Sequence, residues 1–201
     1  MKIIGITGGV GCGKSEVIRY IMKNYNCFVI FADDVAKQLQ EVGNVCYDKI
    51  VSLLGKEILD DKANIDKAKM AAKIFADSTL LEKVNGIVHP AVKEYVLEKI
   101  AMYRKSGEVD LFIIEAALLI EDGYGKIVDE MWYVYTHDDI RKERLKKHRG
   151  YSDEKIDQIF SKQLSKEQFI KHCSFIIDNN DSMEVTQKQI DDKLEEYLCQ
   201  K

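Results

Sequence analysis

Four of the six residues 8–13 are glycines, and a lysine and a serine follow them directly, in the sequence GITGGVGCGKSE of residues 5–16. Residues 8–15 fit the pattern G-x-x-x-x-G-K-[ST] in full. Glycines allow consecutive backbone N–H groups to turn toward one point without a clash of side chains. A helix that starts at Lys14 adds the positive end of its dipole. The pattern therefore predicts a phosphate-binding loop between a strand and a helix.

The residues of this loop are predicted to bind a nucleoside triphosphate. Lys14 is expected to contact the β- and γ-phosphates and to act in catalysis, and the hydroxyl of Ser15 is expected to ligate Mg²⁺. Glu16 is unexpected there because a carboxylate repels phosphate; an acid also complements the helix dipole, so we expect its side chain to point away. The alternative for the whole motif is a glycine-rich turn that binds nothing. The predicted nucleotide-binding residues are Gly8, Gly9, Val10, Gly11, Cys12, Gly13, Lys14, Ser15 and Glu16.

The charge balance of the 201 residues bears on the partners of the chain. It has 30 lysines and arginines and 34 aspartates and glutamates, a net charge of −4. This balance provides no general attraction to nucleic acid, so a bound anion must be held by local donors. The most apolar stretch, LFIIEAALLI at 111–120, is too short to span a bilayer, and Met1 leads directly into the first strand without a signal peptide. We expect a cytoplasmic protein, monomeric or weakly homo-oligomeric, without nucleic-acid or membrane partners.

The cysteines also bear on the compartment. They are odd in number, widely spaced and contain no CxxC pair, a pattern typical of a reducing compartment rather than of a disulfide framework or a zinc site. The five are Cys12, Cys27, Cys46, Cys173 and Cys199.

Five short apolar runs separated by helical patterns predict an α/β fold. The runs are KIIGIT (2–7), CFVIFA (27–32), LFIIEAA (111–117), EMWYVYT (130–136) and SFIID (174–178), each interpreted as a buried strand. Strands that alternate with helices form βαβ units. We therefore expect a doubly wound, mainly parallel five-stranded sheet with helices on both faces and KIIGIT in its interior. Residues 34–105 are helical in pattern and far longer than a crossover requires; this insertion is a helical subdomain that covers the sheet, a substrate-binding cap, or both.

Several motifs occur in the order found in a known enzyme family. They are GITGGVGCGKS at 5–15, FADDVAK at 31–37, VHPAV at 88–92, ALLIEDG at 117–123, RLKKHRGYSDE at 144–154, Gln163, and IIDNND at 176–181. Over nearly its whole length the chain resembles the dephospho-CoA kinases, P-loop enzymes related to the nucleoside monophosphate kinases. The resemblance implies transfer of the γ-phosphoryl group of ATP to the 3′-hydroxyl of dephospho-CoA, the last step of coenzyme A biosynthesis, with ATP and Mg²⁺ as cofactors. It also implies a single P-loop kinase domain over 1–201, with a substrate-binding insertion at about 34–105 and a lid at about 137–165.

The resemblance assigns the activation of the acceptor to Asp33. The family pattern Asp-Ala-Asp reads Phe31-Ala32-Asp33 here, so only the second carboxylate remains. Asp33 is expected to bind the acceptor and to accept or orient the proton of its hydroxyl; the alternative is a helix cap. If Asp33 is a cap, Glu115 is the next catalytic candidate. Glu115 is itself expected either to hold Mg²⁺ through water or to be a buried, hydrogen-bonded strand acid.

The resemblance places three further residues at the acceptor substrate. His89 matches the His-Pro pair of the family's helical domain, and Pro90 is predicted to keep His89 extended and to start a new helix. Leu118 and Leu119 match a Pro-Leu-Leu-x-Glu segment in which Ala117 replaces the proline. The alternatives are a plain helix boundary at His89 and an apolar turn that packs under the sheet for the two leucines.

A basic run on an otherwise acidic chain follows the fourth predicted strand. It comprises Arg141, Arg144, Arg149 and three lysines, and the alternative to function is a solvated helix face. The resemblance implies a lid whose arginines neutralise charge on the triphosphate and exclude water. Arg144 matches the first lid arginine and is a catalytic and nucleotide-binding candidate, whereas Arg149 lies one residue beyond the second position, which His148 occupies. Asn179 matches a residue on the adenine side; the alternative is a turn asparagine.

Two other functions fit parts of the sequence. One is a P-loop kinase for a nucleoside, a nucleotide or another small hydroxyl acceptor, which Phe31, Glu16 and Ala117 keep open as departures from the family pattern. The other is a nucleotide-binding switch without catalysis. We find no N-K-x-D guanine-binding motif in an appropriate place, and the basic run favours a kinase.

Overall fold

The predicted strands form one parallel sheet. A computed structural model describes residues 1–198, apart from the side chain of Ser78, so that Cys199 lies outside the described residues. The strands are β1 (Lys2–Thr7), β2 (Cys27–Phe31), β3 (Leu111–Glu115), β4 (Glu130–Tyr135) and β5 (Phe175–Asp178). Their order in the sheet is β2-β3-β1-β4-β5. Each predicted strand is found with its ends within two residues of the prediction, and the predicted fold class is confirmed.

The interior position of β1 determines where the glycine-rich loop lies. On one side β1 pairs with β3, Ile3 opposite Phe112, and on the other with β4, Ile6 opposite Trp132. All four of these side chains are fully buried. The connection after β1 leads toward one edge of the sheet and the connection after β4 toward the other. In doubly wound sheets, ligands bind at the carboxyl end of the strands where this direction reverses, which is where the loop after β1 begins.

The two edge strands are less buried than the sequence predicts. In β2 only Ile30 is buried, and in β5 only Ile177 is. Ile176 of β5 is 37% exposed. An edge strand has a neighbouring strand on one side only, and its other side is open. An apolar run in the sequence therefore does not by itself mean that the strand is buried.

Three of the helices begin at residues whose side chains bond the free N–H groups of the first turn. Asp66, Ser152 and Ser165 are N-caps whose side-chain oxygens accept backbone N–H bonds, and Ser165 forms a capping box with Gln168. Two short 3₁₀ helices cover Lys56–Ile58 and Tyr124–Lys126. The α-helices are α1 (Lys14–Asn24), α2 (Ala32–Leu39), α3 (Tyr47–Leu54), α4 (Lys67–Ala76), α5 (Ser78–Ser106), α6 (Asp138–Arg149), α7 (Asp153–Phe160), α8 (Lys166–His172) and α9 (Met183–Leu198).

The chain divides into two compact units. The first comprises Met1–Val29 and the chain from Tyr103 onward, and the second comprises Ile30–Met102. In the first unit α1 packs on α9, and α8 packs on β4 through Tyr133 and Phe169, whose rings are stacked 4.5 Å apart. The second unit contains α2 to α4 and α5 as far as Met102. Within residues 1–198, no helix has the length and apolar composition that a membrane span requires.

Pro90 does not start a helix. It lies inside α5, which continues from Ser78 to Ser106, so the prediction of an extended His89 and a new helix is wrong. Proline in a helix interior costs about 3 kcal/mol because it removes one N–H donor and crowds the preceding turn. Each buried aliphatic side chain contributes about 1.5–3 kcal/mol, and a stripe of five at every fourth position continues past the proline, which outweighs that cost. The stripe is Val84, Val88, Val92, Val96 and Ile100.

Candidate active site

The loop between β1 and α1 has the backbone geometry of an anion-binding helix start. Gly13 is the N-cap of α1 and has a left-handed φ of 95°, a region that disfavours residues with a Cβ. A Cβ at this position would also overlap the side-chain amide of Asn179. The N–H groups of Glu16 and Val17 both bond to the Gly13 carbonyl. The earlier N–H groups of a helix have no partner within it and point along its axis, so those of Lys14 and Ser15 suit an anion.

Lys14 crosses this loop. Its ammonium group donates to the Gly8 carbonyl at 2.8 Å and lies 3.8 Å from a carboxylate oxygen of Glu115, at the end of β3. Both charged side chains are largely buried, with 14% and 17% exposed. The cation is therefore held at the loop by two oxygen acceptors before any ligand arrives. A phosphate at the helix start would meet a positioned positive charge.

Ser15 and Glu16 are adjacent in the first turn of α1, and both are exposed. The Glu16 carboxylate forms an ion pair with Arg19, one turn further along the helix. The hydroxyl of Ser15 and the carboxylate of Glu115 are hard oxygen donors, which suit Mg²⁺ bound mainly by water and phosphate. No group of three or more His, Cys, Asp or Glu side chains within residues 1–198 could form a metal site by itself. A magnesium ion at the loop would thus depend on the triphosphate and on water for most of its ligands.

Asn179 lies beneath the loop. It is 4% exposed, and its amide nitrogen donates to the carbonyl of Cys12 at 2.8 Å. Its amide oxygen accepts from Thr186 at 3.0 Å, and the Thr136 hydroxyl donates to the same Cys12 carbonyl at 2.9 Å. Arg144 in turn donates to the backbone carbonyl of Asn179 at 3.1 Å. The side-chain amide of Asn179 thus supports the loop from within. The adenine-side role that the resemblance implies for this residue stays a prediction.

The other lid candidate and the two leucines have different exposures. Arg149 is the last residue of α6 and is exposed. Leu118 is 46% exposed, whereas Leu119 is fully buried and packs beside Gly5 of β1. Direct contact with a substrate therefore suits Leu118. Leu119 has the position of the apolar turn residue that the sequence offers as the alternative.

Asp33 and His89 belong to the second compact unit. Asp33 is exposed in the first turn of α2, whose N-cap is Phe31 and has no side-chain cap bond. The helix-cap alternative for Asp33 is therefore wrong, because the cap position lies two residues earlier. His89 is half-buried on α5.

Three of the four described cysteines are unsuited to nucleophilic chemistry. Cys12, Cys27, Cys46 and Cys173 are free thiols. Burial raises the pKa of Cys173 to about 12 and also raises the pKa values of Cys27 and Cys46. Since the thiolate is the reactive form, these three side chains stay protonated at neutral pH.

Comparisons with known proteins assign the chain to a family. The family model described as dephospho-CoA kinase matches residues 2–184. The chain belongs to the dephospho-CoA kinase family. The dephospho-CoA kinase of Aquifex aeolicus is 38% identical over 98% of this chain and 97% of the relative. That of Oceanobacillus iheyensis is 35% identical over 97% of each chain.

Solved structures share the fold of this dephospho-CoA kinase family member. A dephospho-CoA kinase from Campylobacter jejuni superposes with a TM-score of 0.73 at 22% identity and covers 100% of both chains. A shikimate kinase from Acinetobacter baumannii gives a TM-score of 0.53 at 12% identity and covers 100% of this chain and 95% of its own. At such identities the likeness concerns the fold alone, and it confirms the P-loop kinase fold.

Sequence reasoning missed two residues that contact the loop directly. Arg141 of α6 donates its Nε–H to the Val10 carbonyl at 2.9 Å. The side-chain oxygen of Gln163 accepts the N–H of Val10 at 3.3 Å. Arg141 was visible only as part of the basic run, and Gln163 only as one element of the family pattern. Both residues are far from Val10 along the chain, so no local pattern predicts that they contact it.

The second unit contains a groove of about 460 Å³. It lies between α2, the segment before α4, and α4 itself, a helix in which no residue is buried. Most of its lining surface is apolar, and amide, ammonium and carboxylate groups form the rest. Lining residues include Lys37, Gln40, Asn64, Ile65, Met70 and Ile74.

Proposed function

We propose that this chain transfers the γ-phosphoryl group of ATP to the 3′-hydroxyl of dephospho-CoA, as the last step of coenzyme A biosynthesis. The observation that carries this proposal is the nearly full-length likeness to dephospho-CoA kinases. The loop geometry alone supports only a phosphate-binding protein, because many enzymes share it. The family match supplies the acceptor.

On the donor side, the loop and Lys14 bind the β- and γ-phosphates. Phosphoryl transfer needs positioning and neutralisation of charge more than covalent participation of the protein. Lys14 is already held between Gly8 and Glu115, so that little reorganisation accompanies binding. Arg144 adds a second positive charge on the lid side, and Arg149, at the end of α6, adds a third. Mg²⁺ bound near Ser15 and Glu115 would supply further neutralisation of the triphosphate.

On the acceptor side, Asp33 orients the ribose 3′-hydroxyl and accepts its proton. It acts as the only carboxylate of the family pair, since Phe31 occupies the other position. His89 and Leu118 contact the acceptor, and buried Leu119 supports Leu118 from below. In this proposal the helical segment of about 34–105 binds the substrate, and the segment of about 137–165 acts as a lid that excludes water.

The proposed activity also bears on the compartment, the oligomeric state and the partners of the protein. We infer that the protein acts in the cytoplasm as a monomer or weak homo-oligomer. ATP and dephospho-CoA are its small-molecule partners, and the net charge of −4 supports neither nucleic-acid nor membrane association.

A panel of acceptors tests the proposal. The purified chain is incubated with ATP and Mg²⁺, and ADP release is followed with dephospho-CoA, AMP, adenosine or shikimate as the acceptor. We expect acceptor-dependent ADP release with dephospho-CoA and only background with the others. Faster turnover of a nucleoside or of shikimate than of dephospho-CoA would favour a kinase for another small hydroxyl acceptor.

A further inference from the structure

Each of the three nitrogens of the Arg141 guanidinium donates to a protein acceptor. Besides its bond to the Val10 carbonyl, it donates to Asp138 at 2.7 Å and to the side-chain oxygen of Gln163. Its central carbon lies 4.0 Å from the centre of the Phe160 ring. Only 11% of the Arg141 side chain is exposed. An arginine whose Nε and both terminal nitrogens donate to protein partners is a fixed part of the structure, unlike a free cation that swings onto a ligand.

Gln163 contacts the loop beside Arg141. One side-chain oxygen accepts both the Val10 N–H and the Arg141 guanidinium. The backbone of Val10 is therefore held at its N–H and at its C=O by two side chains. Gln163 and Arg141 are 153 and 131 residues away from Val10 in the sequence, so the loop's shape depends on the segment that carries α6 and α7.

The same contact explains why residue 9 is a glycine. Gly9 is not among the glycines with positive φ, in contrast to Gly8, Gly11 and Gly13. Its backbone therefore suits any residue. A Cβ at Gly9 would, however, meet the Arg141 guanidinium carbon at 2.6 Å and the Gln163 oxygen at 2.8 Å. The close approach of Arg141 and Gln163, and not the backbone conformation, is what favours glycine here, because a larger residue would displace these two side chains.

We propose that Arg141 and Gln163 are positioning residues for ATP, which hold Gly9 and Val10 and thereby fix the shape of the loop that receives the β- and γ-phosphates. They act through the loop and do not touch the nucleotide. A cradle that is already ordered binds without a cost of ordering, and a small displacement of reacting groups can cost about 100-fold in rate. The identity of the ligand as ATP rests on the proposed function.

A double-mutant cycle between Gly9 and Arg141 tests this assignment. Gly9→Ala should push the guanidinium off the loop and so reproduce the defect of Arg141→Ala. We expect each variant to lower kcat by about 10- to 100-fold and to weaken ATP binding measured by calorimetry, with an unchanged KM for dephospho-CoA. The double variant should resemble either single variant, because the same contact is lost only once. The proposal would be overturned if the losses in kcat of the two single variants multiplied in the double variant. Wild-type kinetics in Arg141→Ala would also overturn it.

Two further variants separate position from charge and from stability. Arg141→Lys keeps the positive charge but cannot donate in the three directions of the guanidinium, so we expect it to remain close to Arg141→Ala; wild-type activity would show that charge alone matters and would contradict the proposal. Gln163→Met keeps the side-chain length and removes the acceptor, and it should also weaken ATP binding. Wild-type ATP binding in Gln163→Met would equally contradict the proposal.

The matched control is Lys147→Ala, which removes an exposed positive charge from the same helix. It should leave ATP affinity and kcat unchanged; a loss as large as that of Arg141→Ala would mean that any charge on α6 suffices. Calorimetry with ATP needs no acceptor. If the wild-type chain binds ATP but fails to phosphorylate dephospho-CoA, the proposed function fails, while the cycle in ATP affinity still decides the role of Arg141.

Discussion

Asp33 and Asp34 are neighbours in the first turn of α2 and differ in their partners. Asp34 forms an ion pair with Lys37 at 2.6 Å, and both side chains are exposed. Asp33 is the carboxylate assigned to the acceptor hydroxyl. We predict that Asp33→Asn lowers kcat by about 10²- to 10⁴-fold, the usual contribution of a general base, and leaves the affinity for ATP intact.

Asp34→Asn is the matched control for this prediction, and steady-state kinetics of the two variants are the measurement. It removes a carboxylate from the same helical turn and should leave kcat within about twofold, because exposed ion pairs contribute little. Normal turnover by Asp33→Asn would move the catalytic role to Glu115.

Lys14 offers a second test at the level of single residues. Because its ammonium group is held at the loop by Gly8 and Glu115, Lys14→Ala should remove charge stabilisation that operates in the transition state. We expect kcat to fall by about 10²- to 10³-fold, corresponding to about 2.7–4 kcal/mol. Lys23→Ala, at the other end of α1, should have no effect on kcat measured with saturating ATP and Mg²⁺. Unchanged turnover by Lys14→Ala would show that the loop does not bind the transferred phosphate.

The sequence predicts residues that are close together in the chain better than residues that meet only in the fold. Residues 8–15 are consecutive, so their spacing alone predicts the loop. The amide of Asn179 bonds to the Cys12 carbonyl, 167 residues away, a contact that the pattern around Asn179 does not predict. Arg141 gives no local sign of its contact with Val10. Such partners depend on the order of β1, β4 and β5 in the sheet, which no short pattern in the sequence specifies.

At the scale of elements, α5 shows how burial overrides a local signal. The sequence predicts a break at Pro90, but the buried stripe of valines continues through it. Pro90 is itself exposed. We predict that Pro90→Ala raises the free energy of unfolding by about 2 kcal/mol, since about 3 kcal/mol of helix cost is partly offset by the greater freedom of the unfolded chain. Urea denaturation measures this change, and a loss of stability would contradict the explanation given for the uninterrupted helix.

A second element-scale prediction concerns the packing of α1 on α9. Asp191 of α9 accepts the hydroxyls of Tyr20 at 2.7–2.8 Å and of Tyr25 at 2.5 Å. Asp191→Ala leaves both partly buried hydroxyls without this acceptor and should cost about 2 kcal/mol, which lowers Tm by roughly 4–8 °C in a chain of this size. Asp192→Ala, at the exposed neighbouring position, should leave Tm unchanged. Equal melting of the two variants by calorimetry would rule out this contribution.

The same contact predicts a dependence on alkaline pH. Burial first, and then the hydrogen bond to Asp191, raises the pKa of Tyr20 to about 12. An unfolded tyrosine titrates near pH 10 (about its ordinary value). The folded chain thus keeps a proton that the unfolded chain loses, so this stabilisation is complete below about pH 10 and is lost as the pH rises toward about 12. The stability difference between the wild type and Tyr20→Phe should shrink across this range in urea titrations.

At the scale of the whole molecule, the chain joins an α/β unit that carries the phosphate-binding loop to a helical unit that carries Asp33 and His89. The five strands and their parallel direction were predictable because each is a short apolar run between helices. The low burial of the edge strands β2 and β5 was not predictable, because it depends on which elements pack against them, and the strand's own sequence does not specify those neighbours. The acceptor could not be derived from the loop, and it follows from the family to which the chain belongs.

The most direct test of the central claim is the position of the transferred phosphate. The purified chain is incubated with ATP, Mg²⁺ and dephospho-CoA, and the product is analysed by phosphorus NMR, with 3′-deoxy-dephospho-CoA as the matched control. We predict one new phosphate monoester signal coupled to the ribose 3′ proton, and no product from the 3′-deoxy compound. A phosphate on another hydroxyl, equal turnover of the 3′-deoxy compound, or ATP consumption without a phosphorylated acceptor would contradict the account.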